Sequence, residues 1–181
     1  MKIALDPGHG NQNVSDEYDP GAVGGGLEEA DIALAWAITG KWVLNQMGID
    51  VWLTRDDDSD PTPLMSRDER AEAQGCTHYI SLHCNAAGLT ATGTEVFYRD
   101  AADKRWAGLV LGAAVGALKL RNRGLKTEDQ SPRDRLHVLD FRGSACLLEL
   151  GFISSPWDRP RLVNRTNRIA FWDRLAAQLQ S

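Results

Sequence analysis

Short apolar runs alternate along this chain with longer segments whose apolar residues recur every three or four positions. Runs of four to six residues have the length of strands, and the longer periodic segments have the length of helices. This alternation predicts an α/β fold, a twisted and mostly parallel sheet flanked by helices. The predicted strands are Lys2–Leu5, Asp50–Thr54, Tyr79–Leu82, Thr94–Tyr98 and Ala145–Leu150, and the predicted helices are Glu28–Met47, Ser66–Gln74, Ala101–Lys119 and Asn167–Leu179.

Length and charge limit the classes of protein that this chain can be. The 181 residues suffice for one domain with a sizeable core, and we expect a single domain over residues 1–181. The net charge of -5 argues against nucleic acid or an anionic membrane as a partner. No apolar run reaches the roughly 18 residues of a membrane span, and no signal peptide is visible. We therefore expect synthesis in the cytoplasm and no membrane insertion, and the oligomeric state stays open.

Three polar residues stand at or near the C-terminal ends of apolar strands. His9 follows the first strand, His83 follows Ile80-Ser81-Leu82, and Glu149 lies near the end of Ala145–Leu150. In parallel sheets the crevice outside these strand ends is where ligands bind. We therefore expect the three side chains to converge at one edge of the sheet.

Two histidines, one carboxylate and an open position form the ligand set of a catalytic zinc. The acidic residues that open the first helix, Glu28, Glu29 and Asp31, are candidates for the carboxylate, and helical periodicity does not choose between Glu28 and Glu29. Glu149 has two interpretations, because a buried carboxylate needs compensation. It is either half of a salt bridge or a general base with a raised pKa beside the metal.

Five motifs in order resemble one known family. They are DPGHG at Asp6–Gly10, GAVGGGLEEAD at Gly21–Asp31, LTR at Leu53–Arg55, SLHCNA at Ser81–Ala86 and LLELGFISSP at Leu147–Pro156. The chain resembles zinc-dependent N-acetylmuramoyl-L-alanine amidases of the type found in phage endolysins, sporulation lysins and cell-separation amidases. The resemblance extends from Lys2 to the last helix.

The resemblance implies a hydrolase that cuts the amide bond between N-acetylmuramic acid and L-alanine in peptidoglycan. It implies zinc ligands at His9, Glu29 and His83, with Glu29 chosen over Glu28 by the register of Glu29-Ala30-Asp31, and a catalytic Glu149. We expect a bacteriolytic, endolysin-like enzyme without an appended cell-wall-binding module. The alternatives are a zinc peptidase or deacetylase acting on another wall bond, and a non-catalytic wall-binding module.

Several polar residues have both a structural and a functional interpretation. Asp6 either orients an imidazole or caps the turn, and Asn85 either contacts substrate or caps its strand. Arg55 and Arg67 are expected in internal salt bridges rather than on substrate carboxylates.

Three further expectations concern histidines, a cysteine and a loop. His78 is expected to be structural and His137 to lie at the surface, while Cys84 should point away from the ligand beside it, because successive strand residues face opposite sides. The polar segment Arg121–Arg135 is expected to be a long surface loop bordering the substrate groove.

Overall fold

A computed structural model describes residues 1–133 and 135–180. The strands are β1 (Lys2–Pro7), β2 (Gly10–Asn11), β3 (Tyr18–Asp19), β4 (Val23–Gly24), β5 (Leu27–Glu28), β6 (Asp50–Leu53), β7 (His78–Asn85), β8 (Thr94–Tyr98), β9 (Asn122–Thr127) and β10 (Ser144–Phe152). The helices are α1 (Glu29–Gln46), α2 (Arg67–Ala73), α3 (Ala101–Leu118), α4 (Arg159–Leu162) and α5 (Arg165–Leu179), with short 3₁₀ turns at Leu64–Ser66, Glu128–Gln130 and His137–Asp140.

The central sheet has six strands in the order β6-β1-β7-β10-β8-β9. The pairs β6/β1, β1/β7 and β7/β10 are parallel, β10/β8 is antiparallel, and β8/β9 is again parallel. The predicted α/β class and mostly parallel sheet are confirmed. Because β1, β7 and β10 are parallel neighbours, their carboxyl ends lie together at one edge.

Side-chain alternation divides each central strand between two cores. Ile80, Leu82 and Leu148 belong to the larger core, which includes the apolar faces of α1, α3 and α5. Tyr79 and Leu147 belong to a smaller core under α2 and the His137–Asp140 turn. Ser81, His83 and Glu149 have the same parity as this second set and therefore project on the same side of the sheet.

The prediction of a loop over Arg121–Arg135 is partly wrong, because the first half of this segment forms β9 beside β8. The residues of β9 do not alternate between apolar and polar, because most side chains on both faces of this edge strand are only half-buried. Two short hairpins, β2/β3 and β4/β5, were also not predicted. Asp134 of the loop and Ser181 of the predicted single-domain range 1–181 lie outside the described residues.

None of the helices in the described ranges combines the length and apolarity that crossing a bilayer requires.

Candidate metal centre

The turn after β1 brings His9 against β7. Gly8 donates its backbone N–H to Leu82 O at 3.0 Å, and a Cβ on Gly8 would lie 2.3 Å from Cε1 of His83. His9 itself adopts φ +63°, a left-handed conformation that costs a residue with a Cβ about 1–2 kcal/mol. Nη2 of Arg67 donates to His9 O at 2.7 Å and holds this backbone in place. The proline and glycines of DPGHG thus form the turn that presents the imidazole.

His9, Glu29 and His83 meet at the carboxyl edge of the sheet. Oε1 of Glu29 lies 3.1 Å from Nε2 of His9 and 2.8 Å from Nδ1 of His83. One potential ligand atom from each of the three residues lies within 4.8 Å of the others. These are the three residues that the resemblance implies as ligands, and Glu29 rather than Glu28 supplies the carboxylate of the cluster.

Further contacts fix the orientation of these donors. Nδ1 of His9 lies 2.8 Å from Oδ2 of Asp19. The backbone N–H groups of Ala22 and Cys84 each donate to Glu29, at 2.9 Å. Such outer partners set the tautomer and direction of ligand side chains. They leave Nε2 of His9 and Nδ1 of His83 facing the same carboxylate oxygen.

The charges of the cluster support one another. Burial alone would raise the pKa of Glu29, but hydrogen bonds from His83 and His9 outweigh it and hold the pKa well below its usual range. Burial alone would lower the pKa of His9, yet the Glu29 and Asp19 carboxylates raise it. The Glu29 carboxylate therefore stays ionised beside the two imidazoles.

A zinc ion fits this donor set. Zinc bonds to nitrogen and oxygen of about 2.0–2.2 Å in tetrahedral geometry place neighbouring ligand atoms a little over 3 Å apart, close to the distances within the cluster. Two imidazoles and a carboxylate are ligands that zinc prefers. The His83 and His9 side chains are 20% and 13% exposed, so the cluster is open on one side to a further ligand.

Glu149 lies in β10 directly beside His83 in the sheet register. Its Oε2 is buried and has no hydrogen-bond partner in the described part of the chain. Burial raises the pKa of Glu149 well above its ordinary value, and the charges of Glu29 and Glu95 raise it further, whereas Arg133 and Lys126 lower it. No ion pair to Glu149 occurs among the described residues, so the salt-bridge interpretation has no support there.

One cavity of about 540 Å³ contains the whole arrangement. Its lining includes His9, Glu29, His83 and Glu149, and Asn85 lies beside them. The lining also includes residues 131–133 and 135–138. The end of the predicted loop therefore borders this cavity, and its place beside the substrate groove stays a prediction.

Asp6 differs from both of its interpretations. Its carboxylate accepts hydrogen bonds from Thr54, Ser81 and Arg67 and contacts neither imidazole. The expected roles in orienting an imidazole and in capping the turn are both wrong, because the Asp6 carboxylate pairs with the buried Arg67 instead. The histidine partner is instead Asp19.

The expectation of internal salt bridges agrees with the contacts of the two arginines. Arg67 pairs with Asp6 at 2.8 Å, and Arg55 pairs with Asp58 at 3.0 Å. Asn85 is neither free nor a simple cap, since its Nδ2 donates to Glu95.

The remaining histidines and the cysteine behave as follows. His78 packs its ring against Trp106, a structural role. His137 is one-third exposed, yet it lines the cavity. Cys84 lies in the larger core and faces away from the histidine beside it, as expected.

Asp19 is the functional residue that the sequence reasoning missed. A signal was present, because the tripeptide Asp-Pro-Gly occurs twice, at Asp6–Gly8 and at Asp19–Gly21. In the second copy Oδ1 of Asp19 accepts from Gly21 N, and a Cβ on Gly21 would lie 2.6 Å from Cδ2 of His9. Both copies thus form tight turns that pack against an imidazole.

Comparison with known proteins gives consistent results. A sequence model described as N-acetylmuramoyl-L-alanine amidase matches residues 3–181. Protein YqiI of Bacillus subtilis is 32% identical over 167 residues, which cover 88% of this chain and 74% of the relative. The sporulation-specific N-acetylmuramoyl-L-alanine amidase of Bacillus subtilis is 31% identical over 168 residues, and the match covers 90% of this chain but 60% of that protein.

A solved structure extends the likeness to three dimensions. The catalytic domain of CwlV, an N-acetylmuramoyl-L-alanine amidase from Bacillus (Paenibacillus) polymyxa var. colistinus, superposes with a TM-score of 0.84 at 28% identity. The superposition covers 99% of this chain and 97% of that domain.

Proposed function

The chain belongs to the N-acetylmuramoyl-L-alanine amidase family, and we propose that it hydrolyses the amide bond between N-acetylmuramic acid and L-alanine in peptidoglycan, with zinc as its metal. The observation that carries the proposal is the meeting of His9, Glu29 and His83 beside a buried carboxylate, Glu149, that has no partner among the described residues. His9, Glu29 and His83 without a neighbouring acid would be equally compatible with a structural metal. An unpartnered acid in the same cavity is what hydrolysis adds to such a site.

His9, Glu29 and His83 are proposed to hold the zinc. Asp19 accepts the Nδ1 proton of His9, which leaves Nε2 as the ligand atom. Nδ1 of His83 and Oε1 of Glu29 complete the protein's share of the ligands. When bound, zinc supplies Lewis-acid activation of water and polarisation of the scissile carbonyl.

Glu149 is the proposed general base. Its Oε2 accepts a proton from the attacking water and delivers it to the nitrogen of L-alanine as the carbon–nitrogen bond breaks. A carboxylate whose pKa is raised by burial is suited to this role, because it takes up a proton more readily than an exposed carboxylate does.

Asn85 is proposed to help place the substrate. Its Nδ2 is held by Glu95, which in turn accepts from Arg123 and Lys126 at 2.6 Å each. This network fixes the side-chain amide at the wall of the cavity and leaves its carbonyl oxygen to accept a hydrogen bond from the peptide.

The test is a digest of purified peptidoglycan analysed by mass spectrometry. The proposal expects new L-alanine amino termini and intact glycan strands, abolished by chelation and restored by zinc. Cleavage that exposes other amines would indicate a peptidase, release of acetate would indicate a deacetylase, and binding to walls without products would indicate a wall-binding module. Full activity with no metal detected would refute the zinc assignment.

A lytic, endolysin-like role at the bacterial cell wall is the further part of the proposal. The measurement is the loss of turbidity of a purified wall suspension. Amidase activity on soluble fragments without clearing of walls would contradict the lytic role and leave the chemistry intact.

A further inference from the structure

Three arginines line the cavity that contains Glu149, and two of them are already paired. Nη1 of Arg67 lies 2.8 Å from Oδ1 of Asp6, with the guanidinium buried. Nη2 of Arg135 lies 2.7 Å from Oδ2 of Asp140. Both guanidinium groups therefore already contact a carboxylate of the protein.

Arg133 is the third arginine, and it differs from the other two. Its guanidinium makes no hydrogen bond or ion pair within residues 1–133 and 135–180, although its backbone N–H donates to Oγ of Ser131 at 3.1 Å. It is exposed and lines the same cavity as the metal cluster. Its charge reaches Glu149, whose pKa it lowers against the larger effect of burial. A cation without a partner among the described residues thus shares the cavity with Glu149 in a protein of net charge -5.

The proposed substrate carries its negative charges only on the peptide side of the scissile amide bond. The glycan is uncharged once the lactyl carboxyl of N-acetylmuramic acid is consumed in the scissile amide, whereas the attached peptide keeps free carboxylates. A guanidinium matches a carboxylate with two parallel hydrogen bonds. The charge of Arg133 is therefore complementary to the peptide side of the bond.

We propose that Arg133 binds a carboxylate of the stem peptide, so that the protein selects peptides whose carboxyl groups are free over peptides whose carboxyl groups are amidated. This inference rests on the proposed amidase function. It makes Arg133 a specificity residue that acts in substrate binding, distinct from the groups that move protons.

The test compares two soluble muramoyl-peptide fragments, one with its peptide carboxyl groups free and one with the same groups amidated. Arg133→Met removes the charge and keeps the stem, and Arg133→Lys keeps a charge without the planar fork. Arg105→Met is the matched control, because it removes the same charge from an exposed position on α3. Melting temperatures check that each variant is folded.

The proposal expects the unaltered protein to favour the free-carboxyl fragment by roughly tenfold in kcat/KM, mainly through KM, which corresponds to one charge-assisted contact at the surface of the site. Arg133→Met should remove this preference by raising KM for the free-carboxyl fragment alone. Arg133→Lys should keep part of the preference, and Arg105→Met should leave it unchanged. Added salt should narrow the preference, since an exposed ion pair is screened.

Three results would overturn the inference. A preference that survives in Arg133→Met would show that another group reads the carboxylate. An equal fall of kcat on both fragments would mean that Arg133 acts on the transition state instead. Failure of the unaltered protein to cut either fragment would refute the amidase proposal itself and this inference with it.

Discussion

Replacing Asp6 by asparagine should destabilise this protein severely, although Asp6 lies outside the metal cluster. The Asp6 carboxylate is fully buried and accepts from Arg67 at 2.8 Å and from Thr54 and Ser81 at 2.7 Å each. Asparagine keeps the shape and removes the charge. The Arg67 guanidinium, 1% exposed, would then face only neutral oxygens.

Breaking a buried ion pair from one side costs about 3–5 kcal/mol, a large share of the roughly 5–15 kcal/mol that stabilises a typical domain. At about 2–4 °C per kcal/mol for a protein of this size, the melting temperature should fall by about 6–20 °C. Asp50→Asn is the matched control, because Asp50 pairs with Lys2 at 3.8 Å and its side chain is 66% exposed. That change should cost about 0–1 kcal/mol.

Urea unfolding at several pH values measures both changes. Burial alone would raise the pKa of Asp6, but Arg67 and the two hydroxyls outweigh it and hold the pKa below its usual range. The unfolded chain therefore binds this proton more readily, and the stability due to Asp6 is present above roughly pH 4 and lost as the pH falls further. The difference between the unaltered protein and Asp6→Asn should shrink in acid.

A loss of less than about 1 kcal/mol at neutral pH would refute this reasoning. A second variant guards against failure to fold, since Asp6→Asn combined with Arg67→Met removes both charges. It should recover part of the stability that the single change loses. If the double variant is less stable by the sum of the two single losses, the pair is not coupled.

Further predictions concern the metal site and the base. Glu29→Gln should greatly weaken zinc binding and Glu28→Gln should not, because only the Glu29 carboxylate contacts both imidazoles. Calorimetric titration with zinc measures the two affinities. A larger loss of affinity in Glu28→Gln would mean that the register of the ligand motif is wrong. Glu149→Gln should keep its fold and zinc and lose about 10²-fold or more in kcat. Because the raised pKa of Glu149 makes the folded metal-free protein bind this proton more tightly than the unfolded chain, the free energy of unfolding of the unaltered protein should fall as the pH rises above the usual carboxyl range, and that of the variant should fall less. A variant that melts early but is fully active would contradict the role of Glu149 as the base. Gly21→Ala should abolish zinc binding, because the new Cβ would lie 2.6 Å from Cδ2 of His9. Gly26→Ala is the control, since Gly26 has a similar positive φ but open space around it. Equal zinc content in the two variants would show that the close approach at Gly21 is unimportant.

The central strands and the site edge could be predicted from local pattern. The apolar runs around Ile80 and Leu148 are long and bounded, so their strand character follows from burial on both faces. Polar residues at the ends of those runs then locate His83 and Glu149. The choice of Glu29 over Glu28 came from the family resemblance, because both positions flank the apolar face of the helix.

The rest depended on contacts that no local pattern records. The strand β9 is polar because it lies at the edge of the sheet, and only its pairing with β8 makes it a strand. The direction of Asp6 is set by Arg67, which is distant in sequence. The repeated Asp-Pro-Gly tripeptide marks a turn at Asp19, but it does not record that this turn places Asp19 against His9.

The donors of the metal cluster come from three separate segments, the turn after β1, the start of α1 and the end of β7. The unfolded chain scatters these segments, so a ligand for the cluster binds the native state alone and draws the folding equilibrium toward it by mass action. At a free concentration a hundred times its dissociation constant, such a ligand adds about 2.7 kcal/mol to the free energy of unfolding. A melting curve recorded during a zinc titration is therefore expected to report occupancy of the proposed site without any substrate, and a chelator is expected to lower the melting temperature of the zinc-loaded protein.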